Sequence, residues 1–331
     1  KVLNALNLNM VREIFKNIGV WDKDNDISGI IIQGAGEKSF CAGGDIVSVY
    51  HSKNESKSSL SNDFFREEYI LNLSIANFSK PWISLLNGIA MGGGLGLSVH
   101  GKYRIVNNKT VTAMPETAIG LFPDVGGGYF LSRMGDLGVY LALTGRVMNG
   151  LDSIYTGIGT HFIENENIEL IIKKIIGTSN YNNEFVDNLL NENAQVLKSN
   201  VSSLSKEVDN ISKHFSKNTL SEIFKSLEKD NSEWANNTLE VLSKKSPTSM
   251  GVALKQLSLA KNLSLKECLI MEFRICQAMM EKHDFYEGVR ANLVDKDRNP
   301  KWEPESINGV TEKIVNDHFQ SLGERELFNN E

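Results

Sequence analysis

Two glycine clusters, each placed after a short apolar run, constrain this chain more than anything else in it. Gly29–Ile32 leads to Phe40-Cys41-Ala42-Gly43-Gly44-Asp45, and Trp82–Leu86 leads to Met91-Gly92-Gly93-Gly94. Glycine lets a chain leave a strand in a sharp turn and leaves main-chain N–H groups open to a ligand. Two such amides aimed at one point form an oxyanion hole, suited to a carbonyl that gains negative charge as it reacts. A third segment, from Met114-Pro115-Glu116 to Asp124-Val125-Gly126-Gly127-Gly128, adds two carboxylates. Amides and acids together predict acyl chemistry on an activated carbonyl.

Strand-like runs at Ile27–Gln33, Pro81–Leu86, Tyr103–Val106 and Thr110–Met114 alternate with helical patterns at Asn7–Asp22, Asn62–Phe78, Gly93–His100 and Gly127–Leu143. Alternation of this kind predicts an α/β architecture. From about Glu164 to Lys245 the text turns polar, Asn-rich and helical in period, without proline, and Pro247 marks a boundary. Ser249–Lys282 reads as two helices, and the Ser52–Asn62 loop, rich in Ser, Lys and Asn, reads as mobile.

With 331 residues the chain can hold one large domain or two smaller ones. A net charge of −6 and the lack of a basic run argue against nucleic acid as a partner. The longest apolar runs are strand-sized, too short to span a bilayer, so no membrane partner is expected. Cys41, Cys268 and Cys276 are widely spaced, which suits a reducing compartment and offers neither a disulfide framework nor a zinc pattern. No metal-ligand constellation and no P-loop stand out, and no cofactor is expected.

The motifs carry a resemblance. Phe40–Ile46, Phe64-Phe65-Arg66-Glu67-Glu68-Tyr69, Met91–Gly101, Met114–Leu131, Ser246–Ser249, His283–Ala291, Asp295-Lys296-Asp297 and Pro300-Lys301-Trp302 occur in one order along nearly the whole chain. In these segments the sequence resembles the crotonase superfamily, and within it the branch that hydrolyses 3-hydroxyisobutyryl-CoA. The resemblance implies a crotonase-like spiral of ββα units with an additional C-terminal helical region. It divides the chain into a spiral core (1–163, its first hairpin missing), a helical insertion (164–246) and C-terminal helices (247–331). The C-terminal helices of the superfamily cover the active site or pack on a neighbouring subunit, which leaves a homo-oligomer open. The branch's part in valine breakdown implies mitochondria in a eukaryote and the cytoplasm otherwise.

Carried over by position, the Gly44 and Gly93 amides bind the thioester oxygen of an acyl-CoA substrate, flanked by the substrate-binding Gly43 and Gly92. The plainer reading of both clusters is a tight strand-to-helix turn. Glu116, after Pro115 at a strand end, is expected to attack the thioester carbon or to activate water, two roles that the sequence leaves open. Asp124 reads on its own as the N-cap of a helix starting near Gly127. The resemblance instead turns it towards the substrate hydroxyl or the attacking water. Gly96 stands where hydratases carry a second catalytic Glu, which disfavours hydration, since adding water across a double bond needs an acid and a base.

His51, which replaces the substrate-touching Glu that close relatives often carry there, is a third substrate-binding candidate. Cys41 and Ser98 read as core residues, and His283-Asp284 as a structural helix-end pair. Lys38, Lys53 and Lys57 lie near the first glycine loop, but nothing assigns them to the CoA phosphates. Two rivals stay open: an enoyl-CoA hydratase or isomerase of the same fold, and a non-catalytic subunit of a larger assembly such as a mitochondrial ribosome.

Overall fold

The structure, a computed structural model, describes residues 3–53, 58–178, 181–197 and 202–329. It divides into two compact units. The first comprises Lys1–Gly44, Ile70–Thr112 and Val147–Lys206, and the second Asp45–Tyr69, Ala113–Arg146 and Glu207–Glu331.

The first unit carries the strands: β1 (Ile30–Gln33), β2 (Ser39–Cys41), β3 (Trp82–Leu86), β4 (Ile89–Met91), β5 (Tyr103–Val106), β6 (Val111–Ala113), β7 (Met148–Asn149) and β8 (His161–Phe162). They sort into two sheets, ordered β1-β3-β5-β8 and β2-β4-β6-β7. From β1 to β6 the first strand of each successive pair joins one sheet and the second joins the other, and β7 and β8 join them in the reverse order; this is a spiral of ββα turns, as the resemblance implies. The β1-β3-β5-β8 sheet is parallel throughout, with Ile31 opposite Ile83 and Leu85 opposite Ile105. All five residues of β3 are buried. A parallel strand covered on both faces reads as a continuous apolar run, which is why Trp82–Leu86 is so plain in the sequence.

Ile83, Leu85, Tyr103 and Ile105 from this sheet form a core with Ile171 and Ile175 of the Asn165–Ile176 helix and Val186, Leu189 and Leu190 of the Asn183–Asn193 helix. Residues 164–206 therefore fold as part of the first unit, and residues 207–246 belong to the second. A stretch that reads as uniform in composition is split by where its apolar faces find partners.

Two helices differ from their sequence reading. The helix after the second glycine cluster covers only Gly93–Gly96. Beyond it Ser98 N bonds to Leu95 O at 2.9 Å, and Ser98 Oγ bonds back to the Gly94 and Leu95 carbonyls, each at 3.1 Å. A serine bonding back in this way competes with the regular helical ladder. The predicted Gly127–Leu143 helix is two, Gly127–Ser132 and Asp136–Thr144, broken at Gly135 with φ +60°. The break lets the second helix cross close to the first: a Cβ on Gly138 would lie 1.8 Å from Leu131 O.

The second unit is helical. Ser246 caps the Pro247–Ala260 helix, its hydroxyl accepting from Ser249 N at 3.0 Å with Pro247 in the first turn. Leu265–Met279 and His283–Val289 follow. The Asp284 carboxylate accepts from Ser246 Oγ (2.5 Å) and Glu303 N (2.8 Å), a brace between segments, in keeping with its structural reading. Of the Ser52–Asn62 loop, residues 54–57, Lys57 among them, lie outside the described residues, and the Leu60–Ala76 helix has begun before Asn62.

Candidate active site

In the first unit β2 and β4 run parallel with Cys41 opposite Ala90, and Gly44 and Gly93 each lie three residues beyond that pair. The backbone there adopts conformations that side chains oppose: φ is +120° at Gly43 and +47° at Gly92. A Cβ on Gly94 would stand 2.1 Å from Cys41 O, so only glycine lets these two turns come together. The Gly43 carbonyl is tied to Leu6 N at 2.9 Å. Among the described residues neither the Gly44 nor the Gly93 N–H has a protein acceptor. Gly93 is also the first residue of its short helix, with its amide on the electropositive end. Cys41 and Ser98 are buried, in keeping with their core reading.

In the second unit Glu116 opens a 3-10 turn, Glu116–Ile119, and is 5% exposed. Its Oε2 is buried without a hydrogen-bond partner. The turn is clamped from several sides: Ser246 N donates to Thr117 O (3.0 Å) and Asn292 Nδ2 to Ala118 O (2.8 Å). Gly120 and Gly288 allow the backbones to touch, since a Cβ would meet Asp284 O at 2.1 Å or Ile119 C at 2.3 Å.

Asp124 is 4% exposed, and its Oδ2 accepts from the Tyr69 hydroxyl at 2.8 Å. The N-cap reading fails here. The helix starting at Gly127 has Gly126 as its cap residue, with no side-chain cap bond from that position. Its amides go instead to Glu272 on the Leu265–Met279 helix: Gly126 N to Oε2 at 2.7 Å and Gly128 N to Oε1 at 2.9 Å. Val125 has φ +51°, a conformation that a β-branched residue rarely takes and one that marks a held turn.

Burial and mutual repulsion set the charge of this cluster. Glu116 is pushed well above the usual carboxylate range by burial and then by the Asp124 charge, with Glu68 adding to the rise and Lys245 opposing it. Asp124 is raised by burial to about 7, against the pull of the Tyr69 hydroxyl bond. Glu68, buried with Oε1 unpartnered, is raised well above its ordinary value by burial and by Asp124. Three interacting carboxyls are therefore raised together, Asp124 to about 7, and their apparent titrations belong to the group. Such acids can take or give a proton near neutral pH, which marks them as catalytic candidates.

Glu68, Tyr69, Lys245 and Glu272 join the site from positions where the sequence alone assigns no role. Glu68 had a legible signal: it sits four residues after Phe64 and three after Phe65, an acid on the buried face of its helix. Glu272 is alike, four residues after Cys268 and three after Leu269. His51 is exposed on the Ile46–Ser52 helix and makes an edge contact with Tyr50. Lys38 and Lys53 are exposed, and Lys53 Nζ lies 3.6 Å from the centre of the Tyr286 ring. Among the described residues there is no metal-binding group of His, Cys, Asp and Glu.

A family profile described as enoyl-CoA hydratase/isomerase matches residues 1–319. The chain belongs to the enoyl-CoA hydratase/isomerase family. Among curated relatives, the mitochondrial 3-hydroxyisobutyryl-CoA hydrolase of Danio rerio is 47% identical, over 99% of this chain and 86% of its own length. The mitochondrial 3-hydroxyisobutyryl-CoA hydrolase of Homo sapiens is 45% identical over the same shares. Among solved structures of the enoyl-CoA hydratase/isomerase fold, a carnitinyl-CoA dehydratase from Mycobacterium thermoresistibile superposes with a TM-score of 0.91 at 33% identity, covering 99% of this chain and 93% of that one. An enoyl-CoA hydratase from Rhodobacter sphaeroides gives a TM-score of 0.87, also at 33% identity, covering 98% and 94%.

Proposed function

We propose that this chain is an acyl-CoA thioester hydrolase that cleaves 3-hydroxyisobutyryl-CoA to the free acid and CoA, a step of valine breakdown. The observation that carries the reading is the state of Asp124: buried, released from helix capping and held by Tyr69 beside Glu116. The curated relatives bear the same activity in their names across nearly the whole chain. Their mitochondrial location carries over where the source is a eukaryote. CoA enters as part of the substrate.

The roles follow from chemistry. The acceptor-free amides of Gly44 and Gly93 are assigned to the thioester oxygen, where each donor is worth roughly 3–4 kcal/mol of transition-state stabilisation. Glu116 is assigned the oxygen that attacks the thioester carbon, or the base that makes water attack it. Asp124 orients the substrate hydroxyl or the water, with Gly43 and Gly92 shaping the approach. With glycine at position 96, the second acid of a hydratase is missing.

Purified protein offered 3-hydroxyisobutyryl-CoA should release free CoA thiol, read with a thiol reagent. Crotonyl-CoA should lose little of its enoyl absorbance. Efficient loss of that absorbance without thiol release would replace hydrolysis with hydration. No turnover on either substrate would favour the non-catalytic rival.

A further inference from the structure

Asp124 stands two residues before Gly126, and its backbone carbonyl accepts the Gly127 amide at 2.7 Å, so its carboxylate belongs to the turn that opens the helix. The Gly126 and Gly128 amides of that turn go to a remote acid, Glu272, rather than to Asp124. Glu272 is fully buried on the Leu265–Met279 helix, and its two oxygens take the Gly126 and Gly128 amides at 2.7 and 2.9 Å. Gln256 fixes it in turn, its Nε2 donating to Glu272 Oε1 (3.0 Å) and to Pro123 O (2.8 Å), the carbonyl next to Asp124. A side chain at Gly128 would press on this brace: a Cβ would stand 2.9 Å from Gln256 Nε2 and 3.0 Å from Glu272 Oε1, so their ends would have to shift.

Resting on the functional reading above, we propose that Glu272 is a positioning residue: it substitutes for Asp124 as the helix cap and so keeps the Asp124 carboxylate on Tyr69 and beside Glu116. Take the Glu272 oxygens away, and Asp124, an acid in the same turn, becomes the replacement for the freed amides. Capping would stabilise its charge at the electropositive end of the helix, lower its proton affinity and swing it off the reacting group. The loss would fall on turnover and on the acid side of the pH profile, and much less on substrate affinity.

The test uses two variants that leave every charge in place. Glu272→Asp shortens the acid so that it cannot span both amides, and Gly128→Ala pushes the carboxylate aside. In each, kcat should fall at least tenfold with KM within about threefold of the parent. The acid limb of kcat/KM should move to lower pH by half a unit or more. Glu272→Gln retains one acceptor and should shift the limb less than Glu272→Asp. If the limb responded to the charge of Glu272 alone, Glu272→Gln would shift it more, and that order overturns the proposal. So does a fall in kcat at an unmoved limb, the mark of general loosening. If Glu272→Asp does not fold, Gly128→Ala decides alone by the same criterion. Asp124→Asn is the control for the parent reading: should it hydrolyse normally, the functional assignment fails. Should it be inactive while both Glu272→Asp and Gly128→Ala keep the parent limb, only the present inference fails.

Discussion

Glu116 has a buried oxygen with no partner and an elevated proton affinity, which costs stability and points to that oxygen as one the site uses. Glu116→Gln keeps the shape and removes both the nucleophile and the base, so turnover should fall by about 10²–10⁴ with a melting temperature no lower than the parent's. Thiol release at saturating substrate measures the first and a thermal melt the second. Near-normal turnover would remove Glu116 from the mechanism. Only ionised acids attack or abstract, and the cluster holds its protons into the neutral range, so kcat/KM should climb from pH 6 to pH 8. Tyr69 tunes that climb. Its hydroxyl bond to Asp124 favours the charged form, so Tyr69→Phe should raise the proton affinity of Asp124 and move the acid limb to higher pH. A limb that moves down, or stays, contradicts this account.

The elements matter through the turns that present these groups. Gly94 packs its backbone against Cys41, so Gly94→Ala must separate the turns that carry Gly44 and Gly93. The expected outcome is a loss of kcat well beyond any fall in stability, read by comparing thiol release with the melting temperature. A fall in both to the same degree would reduce the site to ordinary packing. These turns were legible in the sequence because glycine clusters after apolar runs report local backbone geometry. The strands were legible too, since burial on both faces leaves continuous apolar text. Less was visible where the deciding partner is remote. Asp124 looks like a cap until Glu272, 146 residues from Gly126, is brought to the same amides. The Gly127–Leu143 pattern keeps its helical period across the break at Gly135, because the apolar faces of both pieces are buried while the kink serves their close crossing. An acid on an apolar stripe, as at Glu68, is the local sign that a remote environment will decide.

For the molecule as a whole, the same acids set stability against activity. Glu68, Glu116, Asp124 and Glu272 all lie in the second unit, with Asp124 raised to about 7 and Glu272 to about 8 by burial. An acid whose proton affinity is higher folded than unfolded stabilises the fold while protonated. That contribution is whole below the ordinary carboxylate range near pH 4 and is lost as pH rises through the folded values. Each unit of elevation is worth about 1.4 kcal/mol. His161 and His318 work the other way. Burial lowers both, so their contribution is whole above about pH 6.5 and is lost only on acidification. Between pH 6.5 and 8.5 the raised carboxyls ionise against their burial, and the melting temperature should fall across that window while kcat/KM is still rising. Glu116→Gln removes one of the acids that must ionise against burial, so it should melt higher than the parent at pH 8.5 and show a shallower slope. Thermal melts of both proteins at intervals across the window decide the matter. A parent whose melting temperature rises towards pH 8.5, or a variant that tracks it at every pH, would show that the cluster does not carry its charge at the expense of the fold.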